Sequence, residues 1–377
     1  MTGTFFRSTA CAVFFLAAAG AHANPAPQTV ADLLSAAVAA TGEAVLTYDG
    51  VTAEGDSVTL TGVKLTATAD GSVATIPALV IAGAAERLPG GLTAAHINFD
   101  QGSVSGHGDT ATWATASLDD VVIPSADEVK ARAKVRPFKT IAVGDLKLSG
   151  GDLAAPIEAA TFSADIGDVV ETGPSNILVR ATGVRLPTGL LTNALVSAVV
   201  GMLDYKEFLA DVSMDSEYDT TAHTVTIHLL TIDAVGVGKI TIAGKASGFS
   251  ISALTDRTTS KEARADARLD QLTVRVDNAG FVERLLDMQA GLLGGTRDDV
   301  RSQLTDGALP FALSFVKNTG FRDQFLAAMT TFLQDPRSLT ITFAPEKPVP
   351  LGQVMRTAAR SPGALPDLLT PTVEANN

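Results

Sequence analysis

Cysteine is nearly absent from the 377-residue sequence: Cys11 stands alone, so no intramolecular disulfide can staple the fold. Aromatic residues are scarce as well, at 5%, with one tryptophan and three tyrosines. Positive charge is the minority sign. Against 41 Asp and Glu there are 28 Lys and Arg, a net charge of −13, and no five basic residues stand in a row. That balance repels phosphates and argues against nucleic acid as a partner. Signature motifs are missing too: no Gly-x-Ser-x-Gly elbow, no His-Glu-x-x-His pair and no Asp-x-Asp-x-Asp-Gly loop occurs. What is present is a 46% hydrophobic, 18% charged composition, enough apolar surface for a folded core.

The first residues read as an export signal. Arg7 precedes an apolar run from Ala10 to Ala19, followed by the small-x-small triplet Ala21-His22-Ala23. The run is too short to cross a bilayer, so cleavage after Ala23 and a periplasmic destination are expected for residues 1–23. Asn24 to Pro27 then reads as a mobile lead-in.

Residues 24–186 form a region dominated by strands, with Val, Ile, Leu and Ala alternating with Thr, Ser and Asp from about Glu43 onward. In Val58-Thr59-Leu60-Thr61-Gly62-Val63-Lys64-Leu65 the apolar positions change phase at Gly62. A bulge there, inserting one residue, would return Val63 and Leu65 to the buried face. Val179 to Leu186 repeats the pattern around Gly183, and Ile141 to Leu148 is a looser copy.

Residues 187–276 open with Pro187 to Leu203, which with Leu186 makes 18 consecutive uncharged residues, apolar at helical spacing with Pro187 near the start. A meander follows, with strands at Leu209–Tyr218, Thr224–Ile232, Gly238–Ala243 and Ala265–Val276, joined in part by the turn Asp219–Ala222 and by a polar stretch from Thr255 to Arg264. Residues 277–377 read as a helical cluster. Stripes run through Phe281, Leu285, Met288 and Leu292 and through Phe321, Phe325, Met329 and Phe332; Thr296 and Asp299 fit a capping box; Leu339, Ile341 and Phe343 return to a strand before a Pro-rich tail. The expected fold is therefore α+β and β-rich, a largely antiparallel curved sheet with bulges and a C-terminal helical cluster packed on it.

Reactive residues do not gather into a motif. Gly102-Ser103-Val104-Ser105-Gly106 puts valine where an elbow needs its nucleophile. His223 and His228 fall on opposite faces by strand alternation, as do Asp119 and Asp120, while Asp298 and Asp299 suit a helix N-terminus. His107, with Asp109 beside it, is the one weak catalytic alternative. No cofactor or metal site is expected, nor enzymatic activity. Five of the 16 phenylalanines lie between Phe311 and Phe332. Together with the uncharged helix they suggest an apolar groove for an acyl chain, with Leu191, Leu195, Val199, Phe315, Phe321 and Phe325 as contact candidates.

The Val-x-x-Thr-Gly-Val-x-Leu strands, the signal sequence, the lack of cysteine and the helix-then-meander order resemble AsmA-like periplasmic proteins of Gram-negative bacteria. That resemblance implies a long curved sheet with an apolar trough and a role in envelope lipid handling, although those relatives keep an N-terminal membrane helix. The expectation is an exported, non-enzymatic protein that binds a lipid or amphiphile, touching a membrane peripherally without a spanning helix. The alternative is a scaffold for an envelope protein partner with no ligand.

Overall fold

The computed structural model describes residues 25–248, apart from 89, 152, 154, 171, 172 and 192, and residues 266–377. The expected signal sequence and its expected cleavage after Ala23, Cys11, and the polar stretch Thr255 to Arg264 lie outside the described residues. The chain is α+β and β-rich, with most helices toward the C terminus, and it divides into two compact units that meet in sequence at Leu190 and Leu191.

Unit 1 begins with helix α1 (Pro27–Thr41), which starts at the last residue of the expected Asn24 to Pro27 lead-in and was not foreseen from the sequence. Pro27 sits in the first turn, where its missing N–H costs nothing, and Gly42 ends the helix in the left-handed region at φ +68°. Strands β1 (Ala44–Thr47) and β2 (Gly50–Glu54) both pair with β3 (Ser57–Ala67), which pairs with β4 (Val73–Ala82). The short β5 (Ala85–Arg87) adds to β6 (Gly91–Asn98). Strands β6 and β7 (Ser103–Gly106) follow along β4; β8 (Asp109–Thr112) and β9 (Thr115–Ile123) follow next. After helix α2 (Ala126–Lys130) come β10 (Thr140–Ser149), β11 (Ile157–Ile166), the two-residue β12 (Val169–Val170) and β13 (Gly173–Pro174), and β14 (Asn176–Pro187), which pairs with β11. All of these sheet pairings are antiparallel.

The phase change at Gly62 is real, but its mechanism differs from the expected bulge. Val58, Leu60, Val63 and Leu65 are all buried, yet Thr61 pairs with Ala78 and Val63 with Ile76, so no residue is inserted. Instead Gly62 adopts φ +61° inside the ladder. Following the registers outward from Gly62, the same row holds Asp49, Pro77, Gln101, Ala114, Asp145, Ala160 and Gly183. Gln101 (φ +53°), Asp145 (φ +52°) and Gly183 (φ +60°) are left-handed like Gly62, on every second strand. The three sequence repeats are thus one crease crossing the sheet, and the apolar residues of neighbouring strands switch face in step. Asp120, at φ +47°, bends β9 a second time, so strict alternation does not describe its pairing with Asp119.

Helix α1 fills the apolar side of this creased sheet. Its Val30 and Ala31 are 0% exposed and pack with Leu60, Ile81, Leu92 and Ile123, while Val38 joins Ala44, Leu65 and Ala74 on the far side of the crease. Each such large side chain contributes roughly 1.5–3 kcal/mol by leaving water.

Unit 2 carries helix α3 (Ala194–Met202), β15 (Glu207–Asp219), β16 (Thr224–Ala234), β17 (Gly238–Ser247) and β18 (Arg268–Asn278). The helix starts seven residues beyond Pro187; Thr188–Leu190 is a 3-10 turn. Helices α4 (Phe281–Leu293), α5 (Arg297–Ser302), α6 (Leu309–Ala312) and α7 (Thr319–Gln334) follow, with the Thr296–Asp299 capping box in place. The expected Pro-rich tail is instead structured: β19 (Ser338–Phe343), β20 (Val349–Pro350), α8 (Leu351–Arg360), α9 (Leu365–Leu369) and β21 (Pro371–Ala375), the last pairing with β19. The sheet runs β15-β16-β17-β18-β19-β21. True bulges occur here: the register slips beside Asp215 and Ser216, between Ile227 and Leu230, and between Lys245 and Ala246.

Candidate functional site

The unit 2 strands alternate so regularly that the sheet separates into two faces. On one, Val212, Ile232, Ile240, Val276, Leu339 and Ala375 stand side by side in a single row. The next row is Met214, Leu230, Ile242, Val274, Ile341 and Val373. The opposite face carries Ser213, Thr231, Thr241, Arg275, Thr340 and Glu374 in register. Six strands about 4.8 Å apart make each apolar row roughly 24 Å long.

Cover over the apolar face is partial. Helix α7 packs on β21 and β19, whose buried Pro371 and Val373 lie on that face. Across β16, β17 and β18, Ile232, Ile240 and Val276 remain 40%, 39% and 36% exposed. Three adjacent β-branched side chains left in water on neighbouring strands are costly surface, and contiguous apolar patches of this kind mark interaction sites.

The six contact candidates fall into two groups, one around α3 and one around α7. Leu191 and Val199 are half-buried just before and within α3, which precedes β15 in sequence; Leu195 lies on the same helix, its side chain outside the described residues. The buried positions there are Val200 and Leu203. Phe321 and Phe325 are half-buried on α7, their ring centroids 5.8 Å apart, while Phe315 is 57% exposed in the turn before it. The phenylalanine cluster is therefore split: Phe332 enters the core at 6% exposure and Phe311 faces solvent at 82%. Phe321 borders an open depression of about 430 Å³ shared with polar groups such as Asn318, Gln324 and Asp367. Sequence reasoning chose helix residues; the open row on β16–β18 was missed, although its alternation was the available signal.

Reactive groups are held in separate pairs. His107 Nε2 lies 3.4 Å from Asp70, not on Asp109, and Asp70 also accepts the Ser72 backbone N–H, which with His107 keeps its carboxyl below the usual aspartate range. Ser72 is buried at 1%. His96 bridges Asp119 at 2.6 Å and Asn98 at 2.9 Å; His228 meets Glu217 at 3.3 Å and His223 meets Tyr218 at 3.2 Å. Among the described residues no three His, Cys, Asp or Glu converge to hold a metal ion, and no helix is long and apolar enough to cross a membrane.

The model of a protein family described as "Uncharacterized protein" matches residues 231–376, from the end of β16 through β21, and leaves out α3 and β15. No curated protein matches the chain.

Proposed function

We propose that the chain is an exported, non-enzymatic binder of a lipid or amphiphile, with the acyl chain laid along the apolar rows of unit 2. The supporting observation is the exposed trio Ile232, Ile240 and Val276, side by side on β16, β17 and β18, each two residues from its strand's end. An acyl chain on those rows would dry the exposed residues without requiring any hydrogen bond from the site, which suits two neighbouring rows with no polar side chain. The resemblance to AsmA-like proteins and the signal sequence point the same way, toward lipid handling in the periplasm. In unit 1 the corresponding surface is occupied by α1, so the binding face is assigned to unit 2 alone.

Native mass spectrometry of the purified protein, followed by lipid extraction, tests this. The expected result is a co-purifying amphiphile that Ile240→Lys removes while the circular-dichroism spectrum stays unchanged. A protein that carries no amphiphile and ignores added fatty acid overturns the reading and leaves the protein-binding scaffold.

A further inference from the structure

One stretch runs against the acidity of the chain. From Lys130 to Lys139 the sequence reads Lys-Ala-Arg-Ala-Lys-Val-Arg-Pro-Phe-Lys, five of the 28 basic residues in ten positions, alternating with uncharged ones. It joins α2 to β10 without regular structure. Phe138, 8% exposed, anchors its end in the unit 1 core, and the Lys139 N–H donates to the Asp119 carbonyl at 2.9 Å. Lys130, Arg132, Lys134 and Lys139 are exposed, Arg136 partly so. Three have distant carboxylate neighbours, Lys130 with Asp127 at 3.7 Å, Arg136 with Asp168 at 3.4 Å and Lys139 with Asp120 at 3.9 Å, all with a solvent-exposed acid. Such pairs leave most of the charge available. The side chains of Arg132 and Lys134 make no ion pair or hydrogen bond among the described residues.

Next to this stripe stands an exposed apolar tip. Leu88, 82% exposed, follows β5, and the preceding Arg87 is clamped to Glu128 of α2 by two hydrogen bonds of 2.8 and 2.5 Å. The clamp is largely buried, its side chains 10% and 16% exposed. It fixes Leu88 beside the helix whose last residue, Lys130, starts the stripe.

We infer that this corner of unit 1 docks on the surface of an anionic lipid bilayer, with Lys130 to Lys139 over the headgroup phosphates and Leu88 entering the interface. Charge alone would also suit a nucleic acid, but an exposed leucine held beside the cations gains only where an apolar phase lies beneath the phosphates. The inference is independent of the unit 2 face, and either can fail without the other.

Co-sedimentation of the full-length protein with vesicles is the test. Binding is expected to phosphatidylcholine–phosphatidylglycerol vesicles and not to phosphatidylcholine alone, and to weaken with added salt. Each basic residue at such a surface strengthens partitioning about fivefold, so Arg132→Ala with Lys134→Ala should weaken it about 25-fold. Leu88→Asp should also weaken it, with the melting temperature unchanged for both variants. Equal binding to neutral vesicles, no binding to either, or an unaffected double variant overturns the inference. So does a single-stranded oligonucleotide that binds as tightly as the anionic vesicle and is indifferent to Leu88→Asp. Fatty-acid binding measured in parallel reads the unit 2 face separately.

Discussion

At the scale of single residues, the Arg87–Glu128 clamp is where charge and stability are most tightly joined. The Arg87 guanidinium hydrogen-bonded to Glu128, with the Ser125 backbone N–H also donating to it, holds the Glu128 carboxyl below the usual glutamate range. A carboxyl depressed in the folded state binds its proton more weakly there than in the unfolded chain. Its contribution is therefore complete at neutral pH, above the unfolded value, and is lost as pH falls through the folded one. Glu128→Gln should cost about 3 kcal/mol at neutral pH, because it removes the carboxylate that clamps the largely buried Arg87 guanidinium and weakens the α2 capping box. The same variant should show a flatter decline of stability toward acid than the parent protein. Urea unfolding at neutral and mildly acidic pH checks both; parallel acid limbs would show that the clamp is not a titrating contributor.

At the scale of elements, the crease explains a pattern that was visible in the sequence and misread in mechanism. The repeats at Gly62, Asp145 and Gly183 were legible because apolar residues change phase around them. A bulge and a left-handed residue produce the same change in one strand, and only the partner registers distinguish them. Gln101 belongs to the same row but is flanked by no matching string, so it carried no signal. Helix α1 was overlooked because Pro25 and Pro27 read as a loop, although Pro27 at a helix start and Gly42 at its end are the expected punctuation. The geometry also constrains the neighbours: a Cβ at Gly183 would stand 2.9 Å from the Ala160 Cβ, and the strands between left-handed positions carry Pro77, Ala114 and Ala160. Gly183→Val should therefore cost about 2–3 kcal/mol, since a β-branched residue is strained at φ +60° and collides across the strand. Chemical denaturation measures it, and a near-neutral substitution would mean that the crease can relax.

At the scale of the whole molecule, fold class was readable and the candidate site was not, for one physical reason. Alternation reports that a strand has an apolar face; it is silent on what covers that face. Val58 and Leu60 in unit 1 and Ile232 and Ile240 in unit 2 alternate alike, but α1 buries the first pair and nothing comparable among the described residues buries the second. The basic stripe escaped for a related reason: a search for contiguous charge passes over cations spaced by alanine and valine. The same bookkeeping of burial predicts how the chain comes apart. Both hydrophobic clusters of unit 1 draw only on residues between Val30 and Ile166, while the α4–α5 cluster of Leu286, Ala290 and Val300 lies wholly in unit 2. A core assembled from one stretch of chain does not need the other to form. Residues 25–190 expressed alone should give a β-rich circular-dichroism spectrum and a single cooperative thermal transition, with Val30→Asp abolishing it because the charge would have no partner at a position 0% exposed. Were that fragment to melt without cooperativity, unit 1 would depend for its folding on residues beyond Leu190, and the division of binding face and membrane-docking corner between two separately folded units would have to be given up.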